Sequence, residues 1–313
     1  MLRRVASQLF WTARNLERAE WRARLVNVNY HLLVESPAGA IEGWTPLLAI
    51  TGDLDLYVTL YETPAEQSVL EFFTLDDANP SSIRRCIGYA RENCRALRNC
   101  ISSEMWAEIN SLYLDANGWT YDTLQAAGIF EFFQDLRNRF YLVSGIVEST
   151  MPRGAAYDFL TIGRTLEAAE NVTRMLDAKY HFLLPHPDDV GSQLDLQQWA
   201  AVLRSASALE AYIGTFGNAM NIEHVVDFLL FDKSFPRAAR YSIDRLDAAL
   251  ERVASGGKEG ASQIPTARTL ASRLRSGSAP GVIKDGLHEY LLGIQDDCAK
   301  IGGELFAKYL RFE

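Results

Sequence analysis

The sequence contains few cysteines, and they are not arranged as disulfide scaffolds or zinc sites require. The four are Cys86, Cys94, Cys100 and Cys298, with no Cys-x-x-Cys pair and no paired histidine spacing. Neither a disulfide framework nor a structural zinc site is therefore expected. Free thiols in a reducing cytosol are the simpler interpretation.

Positive charge is also scarce. The 313-residue chain has 31 Lys and Arg against 40 Asp and Glu, which gives a formal net charge of -9. Nucleic-acid coats and polybasic membrane binders need a positive field that attracts phosphate. The composition therefore predicts neither nucleic acid nor a membrane as a partner.

Long apolar runs and the common catalytic motifs are missing. No stretch approaches the roughly 18 apolar residues of a membrane span. The chain starts like a signal peptide, with two arginines and an apolar patch, but four charged residues between positions 14 and 20 interrupt the run. We therefore expect a cytoplasmic protein. GxGxxG, P-loop, GxSxG and HExxH motifs do not occur, so motifs predict neither a nucleotide site nor a cofactor.

What remains is the composition of a helical globular protein. Hydrophobic residues make up 48% of the chain and charged residues 23%, which excludes disorder over its whole length. Long stretches rich in Ala, Leu, Arg and Glu carry apolar residues at i, i+3, i+4 and i+7. Capping residues followed by proline predict helix starts at 79–82 and 234–236. The predicted fold class is all-α.

The chain also contains an internal repeat, because FWTARNLERAEWRARLVNVNYHLL from Phe10 matches LTIGRTLEAAENVTRMLDAKYHFL from Leu160 at a constant shift of 150. Further matches follow at shifts of 155, 156 and 158, so the order of elements is kept. We predict a single domain over 1–313, a helical bundle of two homologous halves, about 1–150 and 151–313, related by a pseudo-two-fold axis. Representative pairs are Arg14/Arg164, Glu17/Glu167, Glu20/Glu170, Tyr57/Tyr212, Arg84/Arg240 and Glu131/Glu289.

A stripe of polar residues runs along the first repeated helix. At about 100° per residue, these side chains share one narrow face with apolar residues on both flanks. Such charged groups are expected to point into the protein or into a cleft, whereas the opposite face, with Arg18 and Arg22, is expected to meet solvent. The stripe is Glu17, Glu20, Arg24, Asn27 and His31, and the second half repeats it as Glu167, Glu170, Arg174, Asp177 and His181.

Buried carboxylates need partners, and arginines are available for them. On the repeated helices, Glu20 and Arg24 stand at i, i+4, and Arg14 precedes Glu17 by three positions. A second helix is predicted to present a ladder of arginines to the stripe, namely Arg84, Arg91, Arg95 and Arg98. Paired arginines would neutralise the carboxylates, and arginines without partners would form a wall that binds anions.

Two interpretations of the stripe stay open. In the first, these groups form an internal ion-pair network that fixes the packing of the halves. In the second, the four glutamates converge on a polar cavity suited to acid/base chemistry or to binding a zwitterionic amino acid or peptide. The candidate acid/base residues are Glu17, Glu20, Glu167, Glu170, His31 and His181, and the candidate substrate-binding residues are Arg14, Arg24, Arg164, Arg174, Arg84 and Arg91.

A di-metal bundle is a weaker alternative. Its usual signature is Glu-x-x-His, whereas this chain has Glu-x-x-Glu with the histidine eleven positions further on. Eleven residues rise by about 16 Å along a helix, too far for Glu20 and His31 to share an ion. No metal is predicted.

The repeated segments resemble the alpha-E family, a bacterial group of all-helical proteins with largely unassigned activity. The resemblance rests on FWTARNLERAEWRARL, RENCRALRNCISSEMWAEIN and FLTIGRTLEAAENVTRMLDAKYHFLL, and it spans nearly the whole chain. The family's Glu-Arg-Ala-Glu pattern is carried by residues 17–20. In the second half, Ala168 stands where the family usually has arginine, which weakens any role for that side chain.

The resemblance implies a biochemical context. Members are typically encoded beside, or fused to, circularly permuted ATP-grasp proteins, often with transglutaminase-like peptidases nearby. ATP-grasp enzymes join carboxylates to amines through acyl phosphates. The resemblance therefore implies a system that makes or modifies peptide-like amide bonds, with an ATP-grasp ligase as the partner.

Three hypotheses about function follow. The first is a component of such a system that binds the ligase, or a peptidic or amino-acid substrate, in a Glu/Arg cleft between the halves. The second is an enzyme in its own right that uses the paired glutamates. The third is a structural helical scaffold, which predicts no internal cavity.

Overall fold

Two long helices pack against each other at the centre of the protein. In this computed structural model, which describes residues 1–35, 43–182, 192–255 and 264–311, α1 spans Arg3–Glu35 and α9 spans Ala155–Phe182. The side chains of residues 35, 180–182, 193 and 194 lie outside that description. A Cβ on Gly163 of α9 would lie 2.3 Å from the carbonyl oxygen of Phe10 in α1, so the two backbones approach closely there.

The described residues form helices and no β-strand, as the apolar periodicity predicts. Along the chain, α1 is followed by α2 (Thr45–Thr51), α3 (Leu54–Leu60), α4 (Glu66–Thr74), α5 (Ile83–Ala96), α6 (Ser103–Asn117), α7 (Tyr121–Ala127) and α8 (Ile129–Thr150). After α9 come α10 (Gln193–Ser205), α11 (Leu209–Phe216), α12 (Ile222–Val226), α13 (Ala239–Ser255), α14 (Pro265–Ser276), α15 (Ala279–Asp285) and α16 (Leu287–Leu305). Single π-helical turns extend α12 over Asp227–Phe231 and α16 over Phe306–Leu310.

Helices begin where the local sequence supplies a capping group. Ser82 accepts a hydrogen bond from the backbone N–H of Arg85 at the start of α5, just after Pro80. Ser102 does the same for Met105 at the start of α6. These contacts satisfy N–H groups that the first turn of a helix leaves free. The predicted start near residues 79–82 is confirmed.

The other helices enclose α1 and α9. Helix α1 contacts α5, α8 and α9, while α9 also contacts α13 and α16. The predicted solvent face of α1 is therefore wrong: Arg22 is 4% exposed, pairs with Asp53 at 2.7 Å and stacks on Phe73. Residues 12–27 of α1 are buried or half-buried on every side, so polar residues there need protein partners.

Within the described part of the chain, no helix combines the length and apolarity needed to cross a membrane. Apolar side chains are instead buried in the core. Trp44 and Trp199, which recur in the two repeated segments, are 7% and 2% exposed.

The cysteines allow a direct test of this packing. All four thiols are free; Cys100 is exposed, and the other three are buried. Burial raises the pKa of Cys86 to about 11 and that of Cys94 to about 12, which removes the reactive thiolate near neutral pH. We expect the native protein to react rapidly with a thiol-specific disulfide reagent only at Cys100, and at all four thiols once it is denatured. In a Cys100→Ser variant the rapid phase should vanish, and a rapid phase that persists would contradict the burial of the other three cysteines.

Candidate functional site

Two arginines of α1 hold the two glutamates of α9. Arg14 donates to Glu167 and to Glu170, each at 2.5 Å, and Arg18 forms a bidentate pair with Glu167 at 2.7 and 3.1 Å. Only 3% of the Glu167 side chain is exposed. We call these four residues the α9 ion-pair cluster. Planar guanidinium groups that bind carboxylates in this way fix the packing of two helices as well as neutralising charge.

The electrostatics of this cluster are those of a paired network. Burial alone would raise the pKa of Glu167, but Arg14 and Arg18 outweigh burial and hold it below its ordinary value. For Glu170, burial prevails and raises the pKa. Burial would lower the pKa of Arg14 and of Arg18, and Glu167 raises both. Glu167 therefore stays ionised between two cations, which suits a packing role better than proton transfer.

The glutamates of α1 have different partners. Arg237 donates to Glu17 and forms an ion pair with Glu20, both at 3.2 Å. Glu20 also pairs with Arg24, which is fully buried and donates to the carbonyl oxygen of Ser205 at 3.2 Å. We call Glu17, Glu20, Arg24 and Arg237 the α1 ion-pair cluster.

The two clusters differ because α9 lacks one cation. Arg14 and Arg18 stand four positions apart on α1, whereas α9 has Arg164 and Ala168 at the same spacing. Arg164 turns toward Glu148 on α8, at 3.5 Å. Arg237, from the segment before α13, supplies the charge that Ala168 cannot.

A cleft opens beside the α1 ion-pair cluster. It encloses about 590 Å³, partly open to solvent, between α1, α8, α9 and Arg237. Its lining includes apolar side chains and hydroxyl groups, and its charged groups are Glu17, Glu20, Glu148, Arg164 and Arg237. We call it the central cleft. Residues of both 1–150 and 151–313 line it.

Hydrogen-bonded side chains support the outer wall of the central cleft. Tyr157 is 5% exposed and donates to Glu148, with 2.9 and 3.0 Å to the two carboxylate oxygens. Arg245 donates in turn to the hydroxyl of Tyr157 at 3.2 Å. Arg153 pairs with the outer side of Glu148 at 3.0 Å. Glu148 is thereby held at the cleft while Arg164 keeps a single long contact.

Tyr141 forms another part of the lining, on α8. Burial would raise its pKa, but the charges of Arg24 and Arg237, with a hydrogen bond from Ser207, outweigh burial and lower it. The lowered pKa of Tyr141 shows that the potential at this end of the cleft is positive.

The predicted glutamate stripe is therefore turned inward, but it does not form one site. Glu17 and Glu20 line the central cleft, whereas Glu167 and Glu170 do not. The expectation that all four converge on one cavity is corrected: each pair meets arginines on its own side of the α1–α9 contact.

The predicted arginine ladder on α5 is wrong. Arg84 donates to the carbonyl oxygen of Leu75 and lies 3.8 Å from Asp77. Arg91 pairs with Glu92 and lies over the ring of Tyr113. Both side chains turn toward their own half because α5 packs its apolar face on α1.

Three further predicted residues lie away from the central cleft. Arg174 is exposed, beside Gly52, because its position on α9 faces outward. His31 packs edge-on against Phe130 and lines a different cavity. His181 is on α9, but its side chain lies outside the described residues.

Sequence reasoning missed several residues that define the central cleft, namely Arg237, Glu148, Tyr141 and Tyr157. Arg237 follows a predicted helix start, and Glu148 lies near the predicted boundary between the halves; neither context marks a functional group. Arg237 and Glu17 are 220 positions apart, so no local pattern connects them.

The chemistry available in the central cleft is that of carboxylates, guanidinium groups and hydroxyls. Among the described residues, no group of three or more His, Cys, Asp or Glu side chains could hold a metal ion. Carboxylates next to guanidinium groups suit a ligand that carries both an amine and a carboxylate.

Comparisons with known proteins agree with the helical architecture. A family model named Alpha-E, described as a predicted alpha-helical domain with a conserved ER motif, matches residues 1–310. An uncharacterised protein of Mycobacterium bovis and two of Mycobacterium tuberculosis are each 23% identical to this chain. The alignments are 334 residues long and cover 98% of this chain. The chain spans 37% of the length of these relatives. No solved structure matches it significantly.

Proposed function

The chain belongs to the Alpha-E family, and from that premise we propose that it is a component of an ATP-grasp-linked system that makes or modifies peptide-like amide bonds. In this proposal, the central cleft binds a peptidic or amino-acid substrate, and a ligase is the partner. The observation that carries the proposal is the presence of both charge signs in one cleft lined by both halves of the chain.

The arrangement of charges supports a zwitterionic ligand. Arg237 is already shared by Glu17 and Glu20, whereas Arg164 has one contact of 3.5 Å and a side chain that is 32% exposed. Arg164 is therefore the cleft cation most available to a carboxylate. Glu148, 38% exposed, is the most exposed carboxylate of the lining, and an amine would share it with Tyr157 and Arg153.

The greater length of the relatives supports an association of this domain with another protein segment. Their matched region makes up 37% of chains that are much longer than this one, so the same kind of domain occurs joined to further sequence. The partner that we propose for this domain is an ATP-grasp ligase. The test is co-purification with an ATP-grasp ligase from the same genome, and no complex at micromolar concentration would contradict this part of the proposal.

The glutamates do not favour the alternative of an independent enzyme. Glu20 is 4% exposed and bound by two arginines, so it is poorly placed to exchange protons with a substrate. A scaffold does not by itself account for a partly open cleft whose lining carries both carboxylates and arginines.

We also propose that the two halves are homologous and related by a pseudo-two-fold axis. Matching contacts support the duplication. Arg84 donates to the carbonyl of Leu75. Arg240, the equivalent residue of the second half, donates to the carbonyl of Phe231. The buried hydroxyl groups of Tyr57 and Tyr212 donate to the carbonyls of Thr63 and Ala219, and Gly128 and Gly286 both adopt positive φ at a junction between two helices.

Replacing Arg164 tests the ligand. We expect an alanine tripeptide with a free carboxyl terminus to bind the wild-type protein in isothermal titration calorimetry. Arg164→Gln should fold normally and bind about tenfold more weakly, since one charge-assisted hydrogen bond is lost. The amidated tripeptide should bind the wild-type protein no better than the free peptide binds Arg164→Gln.

A neighbouring arginine provides the matched control. Arg153 pairs with the same Glu148 but does not line the central cleft, and its side chain is 53% exposed. Arg153→Gln should bind the tripeptide like the wild type. Equal losses in both variants, or no difference between free and amidated peptide, would contradict binding at Arg164.

A further inference from the structure

A second cavity lies on the far side of Tyr141 from the central cleft, between α1, α8 and the connection from α10 to α11. It encloses about 1090 Å³, partly open to solvent. Its polar lining side chains are Asn27, His31, Arg137, Arg204, Ser207 and Glu210. We call it the basic pocket, and the central cleft shares none of these residues.

Two arginines of the basic pocket lack carboxylate partners. Neither Arg137 nor Arg204 forms an ion pair within the described ranges, and the Nε of Arg137 is buried without a hydrogen-bond partner. In both ion-pair clusters, by contrast, every arginine is bound to a carboxylate. Glu210 is the one carboxylate among the lining residues. In a chain with a formal net charge of -9, two such cations in one concavity suit a negatively charged ligand.

The start of α11 lies beside the same cavity, because Glu210 of its first turn is one of the lining residues. This eight-residue helix begins at Leu209, and no side chain caps its first turn. Just before it, Ser207 has φ 51°, the one positive φ of a non-glycine residue in the described chain. A serine in this left-handed conformation is strained, and such strain concentrates at ligand sites. Free N–H groups at the positive end of a helix bind anions.

A buried amide also faces the basic pocket. Asn27 is 2% exposed, and its Oδ1 has no hydrogen-bond partner in the part of the chain that the structure describes. A ligand hydroxyl or amine could satisfy it. The hydroxyls of Tyr141 and Ser207 lie 3.3 Å apart in the wall that separates the two cavities. The charges of Arg24 and Arg137 contribute to the lowered pKa of Tyr141 at this wall.

We propose that the basic pocket binds the phosphoryl group of a small phosphate-bearing molecule, held by Arg137, Arg204 and the first turn of α11. A phosphoryl group has three oxygens and up to two charges, which matches guanidinium groups from two helices plus backbone donors. A single carboxylate has too few oxygens for all of them. This site goes beyond the proposed function and does not depend on it.

Inorganic pyrophosphate is the probe, used with the full chain in isothermal titration calorimetry. We expect saturable binding that weakens as salt rises. Arg204→Gln should lower the affinity about tenfold, and the double variant Arg137→Gln with Arg204→Gln about a hundredfold or more. A double variant of two ion-paired surface arginines, Arg95→Gln with Arg268→Gln, changes the net charge equally and should bind like the wild type.

Each outcome decides for or against the proposal. No saturable binding of pyrophosphate to the wild type, or equal loss in the control double variant, would overturn it. Citrate, a carboxylate polyanion, should bind more weakly than pyrophosphate; equal or tighter binding would overturn the phosphoryl assignment. Arg164→Gln should leave pyrophosphate binding unchanged, which separates this test from that of the central cleft. If the double variant fails to fold, Arg204→Gln alone carries the test because Arg204 is exposed.

Discussion

Glu167→Gln is expected to lower the free energy of unfolding by about 3 kcal/mol or more. The carboxylate is 3% exposed and binds Arg14 and Arg18 together. Removing one partner of a buried ion pair leaves an uncompensated buried charge, which typically costs about 3–5 kcal/mol. Arg14 retains Glu170, but Arg18 loses its only carboxylate among the described residues. Urea denaturation followed by circular dichroism measures the change.

A solvent-exposed ion pair serves as the control for Glu167. Glu92 is 51% exposed and pairs with Arg91 and Arg95. Glu92→Gln should change the free energy of unfolding by less than about 1 kcal/mol, because exposed pairs contribute little. Similar effects for the two substitutions would contradict the assignment of the α9 ion-pair cluster as a buried network.

The same substitution tests how the free energy of unfolding depends on pH. The pKa of Glu167 is lowered in the folded protein, so its contribution is fully present above the unfolded pKa of about 4.3 and is lost as the pH falls through the folded value. The pKa of Glu170 is raised, so its ionised form opposes folding and that penalty fades as the pH falls. The stability difference between wild type and Glu167→Gln isolates the first contribution. It should shrink below about pH 4, and a constant difference would contradict the pairing.

Gly163→Val is expected to destabilise the protein strongly, and Gly163→Ala less so. A Cβ at this position would lie 2.3 Å from the backbone oxygen of Phe10 and 3.2 Å from the Cβ of Ala13. Because the nearest atom belongs to the backbone, the two central helices must separate to admit it. Overpacking of this kind costs about 1–3 kcal/mol, and a branched side chain adds more. Denaturant titration of both variants gives the free energies.

Gly145 is the matched control for Gly163, since it lies inside α8 and no atom would stand within 4 Å of an added Cβ. Gly145→Ala should stabilise the protein by about 0.5–1 kcal/mol through the higher helix propensity of alanine. Opposite signs at the two glycines are the expected result. Stabilisation by Gly163→Ala would show that α1 and α9 do not approach as closely as the structure has them.

The helices were predictable because their signals are local. Apolar spacing, the capping serines Ser82 and Ser102, and the prolines near helix starts depend on neighbours a few positions away. The inward direction of Glu17 and Glu20 was also predictable, because apolar residues flank them on both sides of the helix.

The partners of those glutamates were not predictable in the same way. The Glu-Arg pair at 17–18 illustrates this: its two side chains do not bind each other. Glu17 binds Arg237, which precedes α13, whereas Arg18 binds Glu167 of α9. Arginine side chains are long and flexible, so which carboxylate each one reaches depends on which helices pack together.

Local sequence therefore established an all-helical chain, the two repeated helices and the inward direction of their acidic stripe, since periodicity of apolar residues acts over a few turns. Only the packing of distant elements decided that Arg237 replaces the cation missing at Ala168, that Arg84 and Arg91 stay within their own half, and that a cleft remains beside α1. Those outcomes depend on contacts between residues separated by as many as 220 positions, which are brought together when the helices pack and leave no periodic trace along the chain.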